Sequence, residues 1–241
     1  MNDLNASSLP LFYSDKTAAA GEEIILNEET SRHLSQVLRM QTGERIELTD
    51  GQGLRMLAEL TVSHKRNSVV SVLERKVAEP PERKIVIGIS PLKNTGRFEW
   101  FLEKATELGI YAIQPLLCKR TEKAYFRAER LKNIMVSAML QSRQYFLPHL
   151  YEPAKPDQLK TESASSCLIA HCGEGEKKLL SEITLPQSGF VYMLIGPEGD
   201  FTEGETQLLM AKGFQPVSLG ETRLRTETAG VVSAALLALS S

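Results

Sequence analysis

Apolar and polar residues alternate in short runs through the first 78 residues. The β-prone runs, separated by turns, are LPLFYS, EEIIL, ERIELTD, LRMLAELTV and NSVVSVLERKV. Such alternation is typical of half-buried strands, and Asp50-Gly51 followed by Gly53 predicts a tight hairpin turn between two of them. One helix, roughly Glu28 to Met40, interrupts the strands, with Asn27 as its N-cap. The pattern predicts a small β-barrel over residues 1–78.

From Lys84 onwards, apolar strands alternate with amphipathic helices. The predicted strands are KIVIGIS, AIQPLL, CLIAH, FVYMLIG and PVSLG. The predicted helices cover 97–108, 128–142, 175–182, 203–212 and 226–239. This alternation is typical of a largely parallel sheet covered by helices on both faces. We therefore predict an α/β domain over residues 79–241.

The clearest boundary between the two patterns is Glu79-Pro80-Pro81-Glu82, because consecutive prolines stop both ladders and helices. The length of 241 residues suits two unequal domains. No apolar run is long enough to cross a bilayer, and the first residues do not resemble a secretion signal, so we expect a cytoplasmic protein without membrane contact. Three cysteines without a C-x-x-C pair argue against a disulfide framework and a zinc site.

The net charge of −2 conceals an uneven distribution along the chain. Residues 79–162 carry 14 Lys and Arg against 10 Asp and Glu, whereas the segments on either side are acidic. The basic residues of the middle segment include Lys93, Arg97, Lys104, Lys119, Arg120, Lys123, Arg127, Arg130, Lys132 and Arg143. Charge alone leaves two interpretations open: a face that binds nucleic-acid phosphates, or a solvated helix surface.

Three glycine-bearing loops follow predicted strands of the second domain. They contain Gly173-Glu174-Gly175, Ile195 to Gly199, and Leu219-Gly220. Ligands of open α/β sheets bind at the carboxyl ends of strands, so three such loops could enclose one ligand. The chain has no P-loop, nucleophile elbow or H-E-x-x-H motif. No histidine has a second ligand at metal spacing, and His171 is either a pocket residue or a structural histidine.

Charged residues crowd the start of the last predicted helix. Glu227 suits the helix dipole, and either Thr226 or Thr228 could cap the helix. Arg223 and Arg225 do not fit an ordinary capped helix, because positive charge near a helix N-terminus is unfavourable unless an anion comes near. An RNA phosphate or a substrate would meet that need.

The pairing of I-G-P-E-G with S-L-G-x-x-x-L-R-T-E-T-A resembles the RsmE family of uridine-N3 methyltransferases of small-subunit ribosomal RNA, within the knotted SPOUT class. Ordered matches span nearly the whole chain. In the barrel they are His33, Val37, Leu38, Arg39, Gly43, Asp50, Gly51 and Gly53. In the second domain they are Glu99, Lys104, Thr106 to Gly109, Pro115, Arg120, Gln141, Ser142, His171, the Gly196 loop and Leu224 to Ala229.

The resemblance implies an α/β fold with a trefoil knot and a largely parallel sheet, preceded by a PUA-like β-barrel that binds RNA. It implies methyl transfer from S-adenosylmethionine to N3 of a uridine in the decoding region of 16S rRNA, within the assembled small subunit. No metal is required, and the family's members are homodimers. Two alternatives stay open: a non-catalytic ribosome assembly factor, and a SPOUT enzyme that acts on another nucleotide or on a ribose 2′-hydroxyl.

The resemblance also implies roles for individual residues. Glu198 is the first candidate for proton removal or substrate orientation, with Arg120, Arg143 and Arg225 binding the target nucleotide or its phosphates. The cofactor would be held by Ala170, His171, Ile195, Gly196, Pro197, Gly199, Leu219, Gly220, Leu224, Thr226 and Ala229. The chain departs from the family pattern at Leu11, at Leu140 in place of a glutamate, and at Asp200 in place of a glycine; Arg143 stands one place early.

Overall fold

A computed structural model describes residues 9–122, 127–161 and 163–240. Lys123, one of the basic residues named above, lies outside the described residues. The chain forms two compact units. Of the described residues, one unit contains those up to Pro80 together with Ser142–Phe146, and the other contains those from Pro81 to Gln141 and from Leu147 onwards.

The first unit is a five-stranded half-barrel sheet. Its strands are β1 (Leu11–Tyr13), β2 (Glu23–Ile25), β3 (Arg45–Thr49), β4 (Leu54–Val62) and β5 (Val69–Val77). The strand order is β1-β3-β4-β5-β2, and every pair is antiparallel except β1 with β3. Alternate residues of β4 are buried, as the period-two pattern predicted, so one face of the strand supplies the core of the unit.

The helix predicted from Glu28 to Met40 is shorter than expected. Helix α1 covers Glu28–Arg32, and Asn27 caps it, as predicted, by accepting a hydrogen bond from Thr30 N–H at 2.8 Å. The chain then widens into a π-helical turn over His33–Val37, in which Leu38 N–H donates to the His33 carbonyl. Arg39 follows with a φ of 55°, a left-handed conformation that ends the helical path before Met40.

The segment Ser142–Phe146 packs within the first unit, although it lies far along the chain. Gly53 N–H donates to the Tyr145 carbonyl at 2.8 Å, and Tyr145 Oη donates to the buried Glu47 carboxylate at 3.1 Å. Gly53 has a φ of 94°, and a Cβ there would lie 2.5 Å from the Phe146 ring. Glycine is therefore needed at position 53 both for its backbone conformation and for the close approach of Phe146.

The second unit is built on a seven-stranded sheet, parallel at every pairing of the described strands. Its strands are β6 (Arg83–Ile89), β7 (Ala112–Pro115), β8 (His149–Leu150), β9 (Ala164–Ala170), β10 (Lys178–Leu179), β11 (Gly189–Ile195) and β12 (Gln215–Ser218). Its helices are α2 (Thr95–Glu107), α3 (Ala128–Gln141), α4 (Glu203–Ala211) and α5 (Thr226–Leu239), with 3₁₀ turns at Pro156–Gln158 and Leu180–Glu182. The strand order is β10-β12-β9-β11-β6-β7-β8.

The sheet carries an apolar core on each face. Along β11, Val191, Met193 and Ile195 join the core that includes residues of α2, α3 and α5, whereas Leu194 joins the core beneath α4. Strands covered on both faces explain why the strand segments read as continuous apolar runs. The predicted α/β class is therefore confirmed.

One predicted helix, over 175–182, is wrong. That segment contains the short strand β10 and a 3₁₀ turn instead. Gly175 has a φ of 121°, and Lys178 and Leu179 pair with the edge strand β12. Pairing at the sheet edge thus prevails over the weak local helical pattern.

Candidate functional site

Three neighbouring strands, β12, β9 and β11, end at the same edge of the parallel sheet. The loops that follow them enclose a cleft of about 650 Å³. Its lining consists of Arg97, Ala170, His171, Cys172, Lys177, Ile195, Gly196, Pro197, Glu198, Asp200, Val217, Ser218, Leu219, Gly220, Glu221, Thr222, Arg223, Leu224, Arg225, Thr226 and Ala229. The cleft lies where ligands of open α/β sheets bind.

Most of the residues singled out from the sequence line this one cleft. Glu198 and Arg225 belong to the lining, as do the predicted cofactor residues other than Gly199. The cleft thus combines residues of three loops: Ala170 and His171 after β9, Ile195 to Glu198 after β11, and Leu219 to Thr226 after β12. This convergence is a property of the sheet order, since β9 lies between β12 and β11.

Arg120 braces the loop after β11 from outside the cleft lining. Its Nη1 donates to the Gly199 carbonyl at 2.7 Å and to the Phe201 carbonyl at 3.5 Å. A Cβ on Gly199 would lie 3.3 Å from the Arg120 Cδ, so the side chain passes close to this backbone. Arg120 therefore fixes the shape of the loop that presents Glu198.

Arg143 lies in the first unit, directly after α3 ends at Gln141. Its φ of 56° is left-handed, and its Nη2 donates to the Leu9 carbonyl at 3.0 Å. Arg143 thus belongs to the barrel unit and is not part of the cleft lining.

Arg97 is a residue of the cleft that sequence reasoning counted only as part of the basic segment. Its Nη1 lies 3.5 Å from Glu198 Oε1, and its Nε lies 3.6 Å from Glu227 Oε1. The guanidinium of the first turn of α2 thus joins a carboxylate of the loop after β11 to one in the first turn of α5. The signal in the sequence was an arginine three residues after the N-cap Asn94, in a first turn without acidic residues.

Asp200 ties two of the loops together. Its Oδ2 accepts a hydrogen bond from Cys172 N–H, and its Oδ1 accepts one from Phe201 N–H, both at 2.8 Å. Its φ of 63° is left-handed, a conformation that glycine adopts freely and that aspartate tolerates better than most residues. The departure from the family's glycine therefore keeps the loop shape and adds a carboxylate that bridges the loops.

His171 is held as a neutral imidazole at neutral pH. Burial lowers its pKa from 6.5 and the nearby Lys177 lowers it further, while Asp200 acts in the opposite direction. Its Nδ1 accepts a hydrogen bond from Gly173 N–H at 3.1 Å, which requires that nitrogen to be unprotonated. His171 thus shapes the loop after β9.

The start of α5 differs from the predicted cap. Arg225 is the N-cap residue, and no side chain makes the capping hydrogen bond. Thr226 is already the first helical residue, so the expected threonine cap is wrong. The first turn of α5 therefore lies beside the cleft with Arg223 and Arg225, an arrangement that favours an anionic ligand.

Within residues 9–122, 127–161 and 163–240, no cluster of three His, Cys, Asp or Glu side chains could hold a metal ion. No helix in the same part of the chain is long and apolar enough to cross a membrane.

Family models match both parts of the chain. Residues 79–238 match the RNA methyltransferase domain, and residues 26–73 match the RNA methyltransferase PUA domain. A ribosomal RNA small subunit methyltransferase E from Synechocystis is 31% identical, over 98% of this chain and 80% of its own length. The Aquifex aeolicus protein of the same name is 27% identical, over 94% of this chain and 98% of its own length.

Solved structures give the same result. A probable rRNA-methyltransferase from Porphyromonas gingivalis superposes with a TM-score of 0.87 at 35% identity, covering 95% of this chain and 97% of its own. The ribosomal RNA small subunit methyltransferase E from Neisseria gonorrhoeae, bound to S-adenosyl methionine, has a TM-score of 0.80 at 32% identity, covering 95% and 96%. The chain therefore belongs to the ribosomal RNA small subunit methyltransferase E family.

Proposed function

We propose that this chain transfers a methyl group from S-adenosylmethionine to N3 of a uridine in the decoding region of 16S rRNA, within the assembled small subunit. The observation that carries the proposal is the cleft formed where β9, β11 and β12 end, which brings together the loops that resemble the family's motifs. Relatives from Legionella pneumophila and Neisseria gonorrhoeae are bound to the same cofactor.

The lining of the cleft fits an adenosine-bearing cofactor. Leu219, Leu224 and Ala229 supply apolar walls suited to an adenine ring. Gly220 has a φ of 131° and no atom within 4 Å of the position a Cβ would take, which leaves bare backbone open to a ligand. When bound, S-adenosylmethionine supplies a methyl group already activated by its sulfonium, so the reaction needs no metal. We assign the cofactor to Ala170, His171, Ile195, Gly196, Pro197, Gly199, Leu219, Gly220, Leu224, Thr226 and Ala229.

The protein must align the uridine and help to remove its N3 proton. Glu198, exposed beside Arg97, either accepts that proton or orients the substrate. Arg225, at the N-terminus of α5, binds the target nucleotide or its phosphate. Arg120 and Arg143 have the same assignment, with Arg120 in addition bracing the Glu198 loop. The target base has to leave its stack to reach the cleft.

The remaining assignments follow from this substrate. The PUA-like unit adds affinity for rRNA, and the cytoplasm is where the small subunit occurs. We further propose a trefoil knot at the C-terminal segment and a homodimer. Helix α5 supports the homodimer, because Val231, Val232 and Leu236 keep part of their apolar surface exposed and Leu239 is exposed.

The test is methylation of small subunits from cells that lack this modification, with radiolabelled S-adenosylmethionine and mapping of the label. We expect label at uridine N3 in the decoding region. Glu198→Gln and Arg225→Ala should lower the rate about a hundredfold or more, since general acid–base and positioning groups contribute at that scale. Glu203→Gln, an exposed glutamate of α4, is the matched control and should retain the wild-type rate.

Cofactor binding without label would favour the assembly-factor alternative, and label at another atom would favour a different target. Full activity of both Glu198→Gln and Arg225→Ala would refute the assigned roles.

A further inference from the structure

A second, smaller cleft of about 440 Å³ opens between the first turns of α2 and α5. It is lined by Asn94, Gly96, Arg97, Trp100, Glu227 and Thr228. Arg97 also lines the larger cleft, so the two clefts share one wall. Of these residues, sequence reasoning had considered only Arg97, Glu227 and Thr228, and had assigned none of them to a substrate.

Glu227 lines this smaller cleft and carries a carboxylate oxygen that has no hydrogen-bond partner among the described residues. The residue is only 7% exposed, and its Oε1 lies 3.6 Å from Arg97 Nε. Its Oε2 is buried and has no hydrogen-bond partner within the part of the chain that the structure describes. Burying a polar atom without a partner is costly, and for a charged group the cost is larger. A ligand that donates a hydrogen bond to Oε2 would remove that cost.

Trp100 offers an aromatic surface on the same cleft. Its side chain is 43% exposed, although it belongs to a helix that buries Phe98, Phe101 and Leu102. Unpaired nucleobases stack on such exposed aromatic rings, and each stacked base contributes about 1–3 kcal/mol. An exposed tryptophan next to a buried hydrogen-bond acceptor matches a ligand that has both a flat ring and an N–H group.

Uracil has these two properties in the required arrangement. Its N3–H donor lies between two carbonyl acceptors, while the cleft offers the Glu227 acceptor next to the Arg97 donors. Cytosine has an acceptor at N3, which would face the Glu227 carboxylate unfavourably. We propose that the smaller cleft is the subsite of the target uracil, and that Glu227 is the catalytic residue that accepts its N3 proton.

This inference rests on the proposed function and decides between the two roles left open for Glu198. The N3 proton passes to Glu227, the N3–methyl bond forms as the methyl–sulfur bond breaks, and the electron pair of that bond stays on sulfur. Glu227 then returns the proton to solvent. Glu198 orients Arg97 through the ion pair at 3.5 Å.

The first experiment compares single-turnover methylation of unmodified small subunits by wild type, Glu227→Gln and Glu129→Gln. Glu129 is the matched control, because it is an exposed glutamate in the first turn of α3. We expect Glu227→Gln to lower the rate about a hundredfold or more with unchanged affinity for S-adenosylmethionine. Its residual rate should rise about tenfold per pH unit above neutrality, more steeply than that of wild type, because N3 must then ionise without a base.

A purely structural role of Glu227 would lower cofactor affinity or thermal stability and leave the pH profile parallel to that of wild type, which would overturn the inference. A change in oligomeric mass of Glu227→Gln, measured by light scattering, would also overturn it, because the cleft would then be covered by a second copy of the chain.

The second experiment does not depend on methylation. Trp100 is the only tryptophan of the chain, so its fluorescence reports directly on this cleft. With S-adenosylhomocysteine present, a short oligouridylate should quench Trp100 at concentrations at least tenfold lower than the same oligonucleotide made of 3-methyluridine, which lacks the N3 proton. Glu227→Gln should abolish that preference. Equal titrations, or no quenching, would overturn the subsite even if uridine N3 is methylated, whereas label at another atom would overturn the proposed function alone.

Discussion

The Asp200 carboxylate accepts a hydrogen bond from Cys172 N–H at 2.8 Å, which joins the loop after β11 to the loop after β9. Both loops line the larger cleft, so this contact fixes two of its walls relative to each other before a ligand arrives. Preorganised walls reduce the entropy that binding must overcome. Asp200 therefore acts on the cofactor through the position of the loops.

Replacing Asp200 tests this relationship. Asp200→Gly removes both hydrogen bonds without straining the left-handed backbone, since glycine adopts positive φ freely. Hydrogen bonds to charged groups contribute about 1.5–3 kcal/mol, so we expect the affinity for S-adenosylmethionine to fall about tenfold by calorimetry. The control is Asp157→Asn, an exposed residue of the 3₁₀ turn Pro156–Gln158. Unchanged cofactor affinity of Asp200→Gly would show that the loops hold their positions without the carboxylate.

Cys172 provides a chemical probe of the cleft. It is exposed and belongs to the cleft lining, whereas burial raises the pKa of Cys118 to about 12 and also raises the pKa of Cys167. Since the thiolate is the reactive form, N-ethylmaleimide should modify Cys172 first. We expect S-adenosylmethionine to slow this modification at least tenfold, measured by mass spectrometry. Modification at the same rate with saturating cofactor would place the cofactor away from the loop after β9.

Gly230 permits the close approach of α5 to α2. An alanine Cβ there would lie 2.7 Å from the ring of the fully buried Phe101 and 2.9 Å from Ile89 Cδ1. We expect Gly230→Ala to lower the free energy of unfolding by about 1–3 kcal/mol, because overpacking outweighs the better helix propensity of alanine. Urea unfolding followed by Trp100 fluorescence measures this free energy, because Trp100 lies in the second unit, as Gly230 does. Gly204→Ala, with open space around it in α4, should be neutral or stabilising.

Glu205 makes the stability of the second unit depend on pH. Burial raises its pKa, but hydrogen bonds from Thr202 N–H at 2.8 Å and Lys119 N–H at 2.7 Å outweigh burial, so the pKa lies below 4.5. The stabilisation is fully present above the unfolded value and is lost as the pH falls through the lower folded value. Glu205→Gln should cost about 1 kcal/mol at pH 7, as expected for a capping residue. The urea midpoints of the two proteins should converge below pH 4.5; a constant difference would contradict the titration of Glu205.

Local sequence patterns predicted most of the fold for physical reasons. Period-two alternation in β4 and continuous apolar runs in β6 and β11 reflect strands buried on one face and on two faces, respectively. Helix α4 begins at Glu203, as predicted, and a local interaction, the capping box of Thr202 and Glu205, fixes this start. Two elements differ from the prediction: β10 forms by pairing with the distant strand β12, and a π-helical turn at His33–Val37 interrupts the helix predicted from Glu28 to Met40.

The sequence predicted the loops of the site but not the residues that α2 adds to it. Glycine and proline after apolar strands predicted the Ile195 to Gly199 loop, and the strand order brings it to His171. The sequence did not assign Arg97 or Trp100 to the site, because both come from α2, far before the α5 loop in the chain, and neither belongs to a motif. The unsatisfied oxygen of Glu227 depends on side-chain packing, which no local pattern encodes.

The packing of Ser142–Phe146 within the barrel unit affects how the chain folds during synthesis. Gly53 finds its hydrogen-bond partner Tyr145 and its packing partner Phe146 only after some ninety further residues have been made. On a translating ribosome, the half-barrel therefore remains incomplete until β6, α2, β7 and α3 have left the exit tunnel. Completion of the N-terminal unit is thereby coupled in time to the first half of the sheet that carries the cleft.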